Sequence, residues 1–143
     1  MARELALAVL LLTACRGESK QPPPAPTGAP LAQAAFFRVD ATPLPPCTAG
    51  APCEARLQLT ALGDYHVNEQ YPVKFESDTV PGLSVDGTGT FVRESAKVGT
   101  LTIRFVAASP GKAQLKGTFK LSVCTDDNCE IEAPAIAFTV AAT

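Results

Sequence analysis

From Glu54 to Leu62 the chain reads EARLQLTAL, in which Ala55, Leu57, Leu59 and Ala61 alternate with Arg56, Gln58 and Thr60. A period of two sends successive side chains to opposite faces of an extended strand, so this segment predicts a strand with one face on a core. The alternation returns toward the C-terminus in Leu101, Ile103 and Phe105, in Leu115, Phe119, Leu121 and Val123, and in Ile136, Phe138 and Val140. Thr102, Arg104, Lys116, Thr118, Lys120 and Ser122 fall between these positions and are expected to face water. Phe36 to Val39 predicts an edge strand or lead-in, because Pro43, Pro45 and Pro46 follow and cannot donate to a central ladder. Val73 and Phe75 open a further strand, while Pro81-Gly82 and Gly87 to Gly89 punctuate short pieces and Ser109-Pro110-Gly111-Lys112 forms a turn. Beyond the N-terminal leader no stretch has helical periodicity over ten residues. The pattern predicts an all-β domain, an immunoglobulin-like antiparallel β-sandwich of about seven strands, with Leu, Val, Ile and Phe in place of the central tryptophan of antibody domains.

The first fifteen residues, MARELALAVLLLTAC, break this pattern. Arg3 precedes an apolar run from Leu5 to Leu12, and small residues lead to Cys15, the order of an export signal too short to be a membrane span. Leu12-Thr13-Ala14-Cys15 resembles the lipobox of bacterial lipoproteins, which implies a signal peptide over 1–14 and a lipid on Cys15. Arg16 stands where an aspartate would be the inner-membrane retention signal, so the same resemblance implies the outer membrane, facing the periplasm. Residues 15–34 are rich in Pro and Ala and offer little to bury, which predicts an extended tether. Residues 35–143 are then the sandwich, about the size of one domain with one core.

Composition removes several function classes. The formal charge is −2, and cutting off the leader removes Arg3 and Glu4 together, so no basic face for nucleic acid is expected. Trp is absent and His66 is the single histidine, which leaves little material for histidine-based catalysis or a multi-histidine metal site, and no cofactor motif is present. His66 with Asp64 and Glu69 can be drawn as a metal or acid–base cluster, but one histidine on a polar strand reads more simply as a hydrogen-bonded surface residue. Asp126-Asp127-Asn128 has calcium-like ligand types without the glycine and distal glutamate of a calcium loop, and reads as a turn.

With Cys15 assigned to lipid, Cys47, Cys53, Cys124 and Cys129 remain, an even number in an oxidising compartment. Three connectivities are possible, and nearness in sequence favours Cys47 with Cys53 and Cys124 with Cys129. Cys47 and Cys53, next to Pro46 and Pro52, read as a structural disulfide tying the lead-in to the first long strand.

Two segments resemble the N-terminal periplasmic domain family of the thiol:disulfide interchange protein DsbD. Gly63 to Phe75, GDYHVNEQYPVKF, is similar to its "gyhiN…yP.kf" stretch, and Val123 to Cys129, VCTDDNC, is similar to its "C.d..C" stretch. The resemblance spans residues 54–140 loosely. It implies an immunoglobulin-like sandwich, Cys124 and Cys129 as a redox pair passing reducing equivalents, and a thioredoxin-like oxidoreductase of the envelope as partner. Glu130-Ile131-Glu132-Ala133-Pro134 follow the second cysteine where the family has an aromatic residue and two prolines, the cysteine spacing is shorter, and Phe91 alone lies in the region of the family's cap loop.

The residues themselves leave two readings of the Cys124–Cys129 pair open. Asp126, Asp127, Glu130 and Glu132 surround it, and nearby carboxylates disfavour a thiolate, which argues for a structural bond over an attacking nucleophile. A disulfide there is still open to attack by a partner's thiolate. Closing six residues contributes about 2 kcal/mol by the loop-entropy relation, against about 4.5 kcal/mol for a bond linking Cys47 to Cys124, so a pure staple would do more over a longer loop. The expected function is accordingly a lipid-anchored envelope sandwich that binds another envelope protein, with either thiol–disulfide exchange at Cys124 and Cys129 or two structural disulfides in a non-enzymatic adaptor.

Overall fold

The computed structural model describes residues 28–143; the expected signal peptide, Cys15 and residues 16–27 of the tether lie outside the described residues. Ten strands and no helix occur among them: β1 (Ala32–Gln33), β2 (Phe37–Thr42), β3 (Pro52–Ala61), β4 (His66–Val67), β5 (Lys74–Ser77), β6 (Leu83–Arg93), β7 (Val98–Ala107), β8 (Gly111–Cys124), β9 (Cys129–Glu132) and β10 (Ala135–Ala142). All the strand pairings are antiparallel. One sheet runs in the order β1-β2-β3-β7-β6. In the other, β8 pairs with β10, β5, β4 and β9 in turn.

The second sheet is three passes of chain, two of them interrupted. β4 and β5 lie along the same edge of β8, opposite Val123–Cys124 and Gly117–Lys120, and the chain between them carries Pro72. β9 and β10 share the other edge, opposite Leu121–Cys124 and Gly111–Thr118, with Ala133-Pro134 between them. Proline removes a ladder donor, which is why both passes break there. At the second break Phe119 N–H still donates to the Pro134 carbonyl at 2.9 Å, keeping the edge in place. Counted as passes, the orders β2-β3-β7-β6 and β5-β8-β10 reproduce the four-plus-three arrangement of a constant-type immunoglobulin domain. The expected immunoglobulin-like sandwich of about seven strands is therefore the observed fold, with the two-residue β1 added at an edge.

The core follows the alternation. Leu57 and Leu59 of β3, Leu101 and Ile103 of β7, and Leu115, Phe119, Leu121 and Val123 of β8 have no exposed surface, and Phe75 of β5 is equally enclosed. Each such side chain contributes about 1.5–3 kcal/mol by leaving water.

Three expectations are corrected. Residues 83–93, read as short pieces, form one eleven-residue strand. Its register shifts between Asp86 and Thr90, where Gly87 and Gly89 take positive φ and absorb the bulge, and its edge position leaves the alternation weak. Leu31 to Gln33, placed in the tether, belong to the domain: Leu31 N–H donates to the Val39 carbonyl at 2.8 Å and β1 pairs with β2. Ser122, expected to face water, has no exposed surface, because the chain after β4 lies over it and Asn68 Nδ2 donates to its Oγ at 3.1 Å.

β5 approaches β8 closely at Gly117. A Cβ there would stand 2.3 Å from the Glu76 carbonyl oxygen and 2.7 Å from the Phe75 ring. Overpacking of this kind costs about 1–3 kcal/mol. Gly117→Ala should therefore lower the urea midpoint, whereas Lys116→Ala on the exposed neighbouring position should leave the unfolding free energy within about 0.5 kcal/mol of the parent. Equal midpoints for the two variants would rule out a tight β5–β8 contact.

Candidate functional site

The end of the sandwich where β8 finishes brings together the β3–β4 loop, the β6–β7 loop and the β8–β9 hairpin. Val67 N–H donates to the Ala96 carbonyl at 2.8 Å, and the Lys97 ammonium donates to the Gly63 and Tyr65 carbonyls, so the loops are tied to one another. Phe36 and Tyr65, both half-buried, pack with ring centroids 5.4 Å apart at the same end.

The hairpin turns on two residues, Asp126 and Asp127. Thr125 N–H donates to the Asn128 carbonyl at 2.7 Å, while Asn128 N–H donates to Thr125 Oγ1 at 3.1 Å. The threonine hydroxyl thus takes a hydrogen bond that the backbone carbonyl would accept in a simpler turn, the local competition that makes Thr a turn former. One step inward, Cys124 and Cys129 stand opposite each other as a register pair outside the hydrogen-bonded rungs, where facing side chains are closest. Their sulfurs are bonded at 2.06 Å, with Cα atoms 4.0 Å apart.

The two halves of this bond have different access. Cys124 retains 6% of its surface, whereas Cys129 is exposed. Of the two residues, Cys129 is the one open to an incoming thiolate. Attack on Cys129 Sγ breaks the S–S bond and leaves its electron pair on Cys124 Sγ, inside the hairpin.

On the other flank of β8, His66 is the register partner of Cys124. Paired residues of neighbouring strands project to the same face with Cβ atoms about 4.5–5.5 Å apart, so the single histidine stands beside the buried half of the disulfide. Val67 and Val123, the next pair, point into the core and are fully enclosed. This juxtaposition was not legible in the sequence, where His66 grouped with Asp64 and Glu69. Glu69 instead forms an ion pair with Arg93, and no cluster of metal-ligating residues occurs among the described residues.

The charge of this end is lopsided. Asp64, Glu69, Glu94, Asp126 and Asp127 are exposed, and Glu130 is half-buried and accepts a hydrogen bond from Asn128 Nδ2 at 2.9 Å. The cations closest to them, Arg93 and Lys97, are engaged with Glu69 and with the two backbone carbonyls.

The second disulfide is at the opposite end. Cys47 and Cys53 are bonded at 1.97 Å, Cys53 sits in β3 with 2% of its surface exposed, and Cys47 is half-buried. Cys47 N–H donates to the Ala141 carbonyl at 3.1 Å and Thr143 N–H to the Cys47 carbonyl at 2.7 Å, so the bond joins β3 of one sheet to the last strand of the other. A cleft of about 200 Å³ lies against it, lined by Pro43, Leu44, Pro45, Phe105, Phe138 and Val140. β8 spans the distance between the two ends with fourteen residues, roughly 45 Å of extended chain. Phe91 packs over Gly99 within the first sheet.

Because Cys129 is exposed and Cys53 is not, limiting dithiothreitol without denaturant should reduce Cys124–Cys129 well before Cys47–Cys53. Differential alkylation followed by peptide mass spectrometry reads the order directly, and simultaneous loss of both bonds would contradict it. No protein-family model matches the chain, and no curated protein matches it. Among solved structures it is similar to the ASH / PapD-like domain of human CEP192 (PapD-like domain 7), at 13% identity over 89% of this chain and 97% of that one, with a TM-score of 0.37.

Proposed function

We propose that this chain is an envelope protein, lipid-anchored through Cys15 at the outer membrane and facing the periplasm, whose sandwich docks a thioredoxin-like partner at the Cys124–Cys129 end and exchanges a disulfide with it. The observation that carries the reading is the asymmetry of the bond: Cys129 is exposed at the hairpin and Cys124 is buried beneath it. Exchange needs one sulfur that a partner can reach and a second that stays behind to resolve the mixed disulfide. In the reductive direction a partner thiolate attacks Cys129 Sγ and Cys124 leaves as thiolate. The partner's second thiolate then attacks its own sulfur in the mixed bond and releases Cys129, so one dithiol is oxidised as one disulfide is reduced.

The exposed carboxylates disfavour anionic thiols and fit a partner whose docking face is positively charged. Placement at the loop end supports the same reading, because three loops from both sheets converge there on a framework held by the core. The structural pair Cys47–Cys53 keeps the far end closed.

Cys124→Ser is the trapping variant for the reverse direction: its free Cys129 attacks the disulfide of an oxidised partner, and the Cys124 thiolate that would go on to release that partner is gone. Expressed with its leader, it should accumulate mixed disulfides with one or a few envelope proteins, visible as reducible bands on non-reducing gels. The Cys129→Ser variant, with only buried Cys124 left, should give about tenfold less, the difference expected for a poorly accessible thiol. Absence of adducts from both variants would leave the non-enzymatic adaptor, with two structural disulfides, as the function.

A further inference from the structure

We infer that His66 is the electrostatic partner of Cys124 and makes opening of the Cys124–Cys129 bond faster as the histidine takes up a proton; this rests on the exchange reading above. Three strands place His66, Cys124 and Cys129 in one row across the sheet, β4 to β8 to β9. The row lies on the face opposite the core, since its neighbours Val67 and Val123 point inward. One end of the row is exposed and takes the incoming sulfur; the middle is buried and takes the electron pair; the other end is the single histidine of the chain.

The chemistry needs such a group. When a thiolate attacks Cys129 Sγ, the bond to Cys124 breaks and a negative charge appears on the sulfur of a buried residue. A leaving thiolate departs faster as its pKa falls, and an adjacent imidazolium lowers it. His66 either remains protonated as the counter-ion or passes its proton to Cys124 Sγ, leaving a neutral thiol and a neutral imidazole; charge and atoms balance in both cases. Among the described residues no other cation has a register position beside Cys124. On the elements around His66 the titratable groups are Asp64 and Tyr65 before it, Glu69 and Tyr71 after it, Arg93, Glu94 and Lys97 around the β6–β7 loop, Asp126, Asp127, Glu130 and Glu132 from the hairpin and β9, and on β8 Lys120, which is paired with Glu76. Arg93 is paired with Glu69, and Lys97 is bound to the Gly63 and Tyr65 carbonyls. The carboxylates oppose a thiolate, so His66 is the group that can offset them.

The test is the rate of reduction by dithiothreitol, divided by the concentration of dithiothreitol thiolate, between pH 8.5 and 5.5 on the oxidised protein. Histidine gains its proton within that window and carboxylates of ordinary pKa do not. The normalised rate at Cys124–Cys129 should rise about threefold toward pH 5.5, the figure for one unit in the leaving group's pKa at a Brønsted slope of about one half. The rise should vanish in His66→Gln and His66→Asn, with all three proteins converging at pH 8.5. Cys47–Cys53 in the same wild-type molecules provides a reference that needs no variant, and its normalised rate should stay flat. Parallel profiles for the two bonds, or a rise that persists in a folded histidine variant, would overturn the inference. Since a small thiol needs no cellular partner, this outcome is separable from that of the trapping experiment: a flat profile with trapped adducts refutes the role of His66 alone, and a rising profile without adducts refutes the docking reading alone.

Discussion

Every strand of the second sheet is held by hydrogen bonds to β8, and among the described strands of that sheet no other pairing exists. An extended segment of fourteen residues can serve two edges along its whole length, and here each edge is filled by a pass that breaks once at a proline. The core depends on the same strand, because Leu115, Phe119, Leu121 and Val123 line its inner face without exposure. So does one charge problem. Lys74 and Lys120 are register partners, an unfavourable like-charge pair, and Glu76 answers both at 3.0 and 2.8 Å. The hydrogen bonds from Lys120 and then Lys74 hold its carboxyl below the usual range, so the benefit is present above the ordinary carboxylate pKa and fades as pH falls through the lowered value.

The two disulfides close loops of nearly the same length, with sequence separations of six and five. Chain entropy therefore assigns each about 2 kcal/mol and does not distinguish them. Position does. Cys47–Cys53 lies in a stretch held between the sheets, where Gly50 N–H donates to the Ala107 carbonyl of β7 and Ala49 N–H to the Thr143 carbonyl beyond β10, and no ladder pairs its two residues with each other. Cys124–Cys129 links residues that the β8–β9 ladder already holds face to face, so its geometric contribution duplicates what the hairpin provides. Its residues are the ones a ladder already aligns, and Cys129 is exposed, which is the ground for the exchange reading proposed above.

The fold was readable where one face of a strand is wholly buried. β3, β7, β8 and β10 alternate cleanly because each packs on the opposite sheet, and the strands fall where the apolar residues recur. β6 was obscured by its edge position and by the glycines of its bulge, and β4 and β9 are too short to carry a period of their own. Ser122 faces the side the pleat demands; what sequence could not supply is that Asn68, distant along the chain, covers it. The candidate site divides the same way. Adjacent cysteines suggested their own pairing, but the neighbour of Cys124 on its second flank is fixed by the register of β4 on β8, a tertiary fact with no local signature.

The acidic surroundings that argued against a reactive cysteine become informative once the row of His66, Cys124 and Cys129 is in place. Carboxylates around a thiol weaken it as a nucleophile, and they also repel anionic thiols approaching the disulfide. Neither effect would block the partner proposed above, whose positively charged face would be attracted to this end, the more so as salt is lowered. On the proposed reading the carboxylates slow an approaching anionic thiol without closing the exposed Cys129 to small reductants, and they favour a partner of complementary charge. On that reading His66, half-buried on the other flank of β8, acts on the leaving sulfur as the bond breaks, so selectivity at the surface and ease of bond opening would be set by different residues.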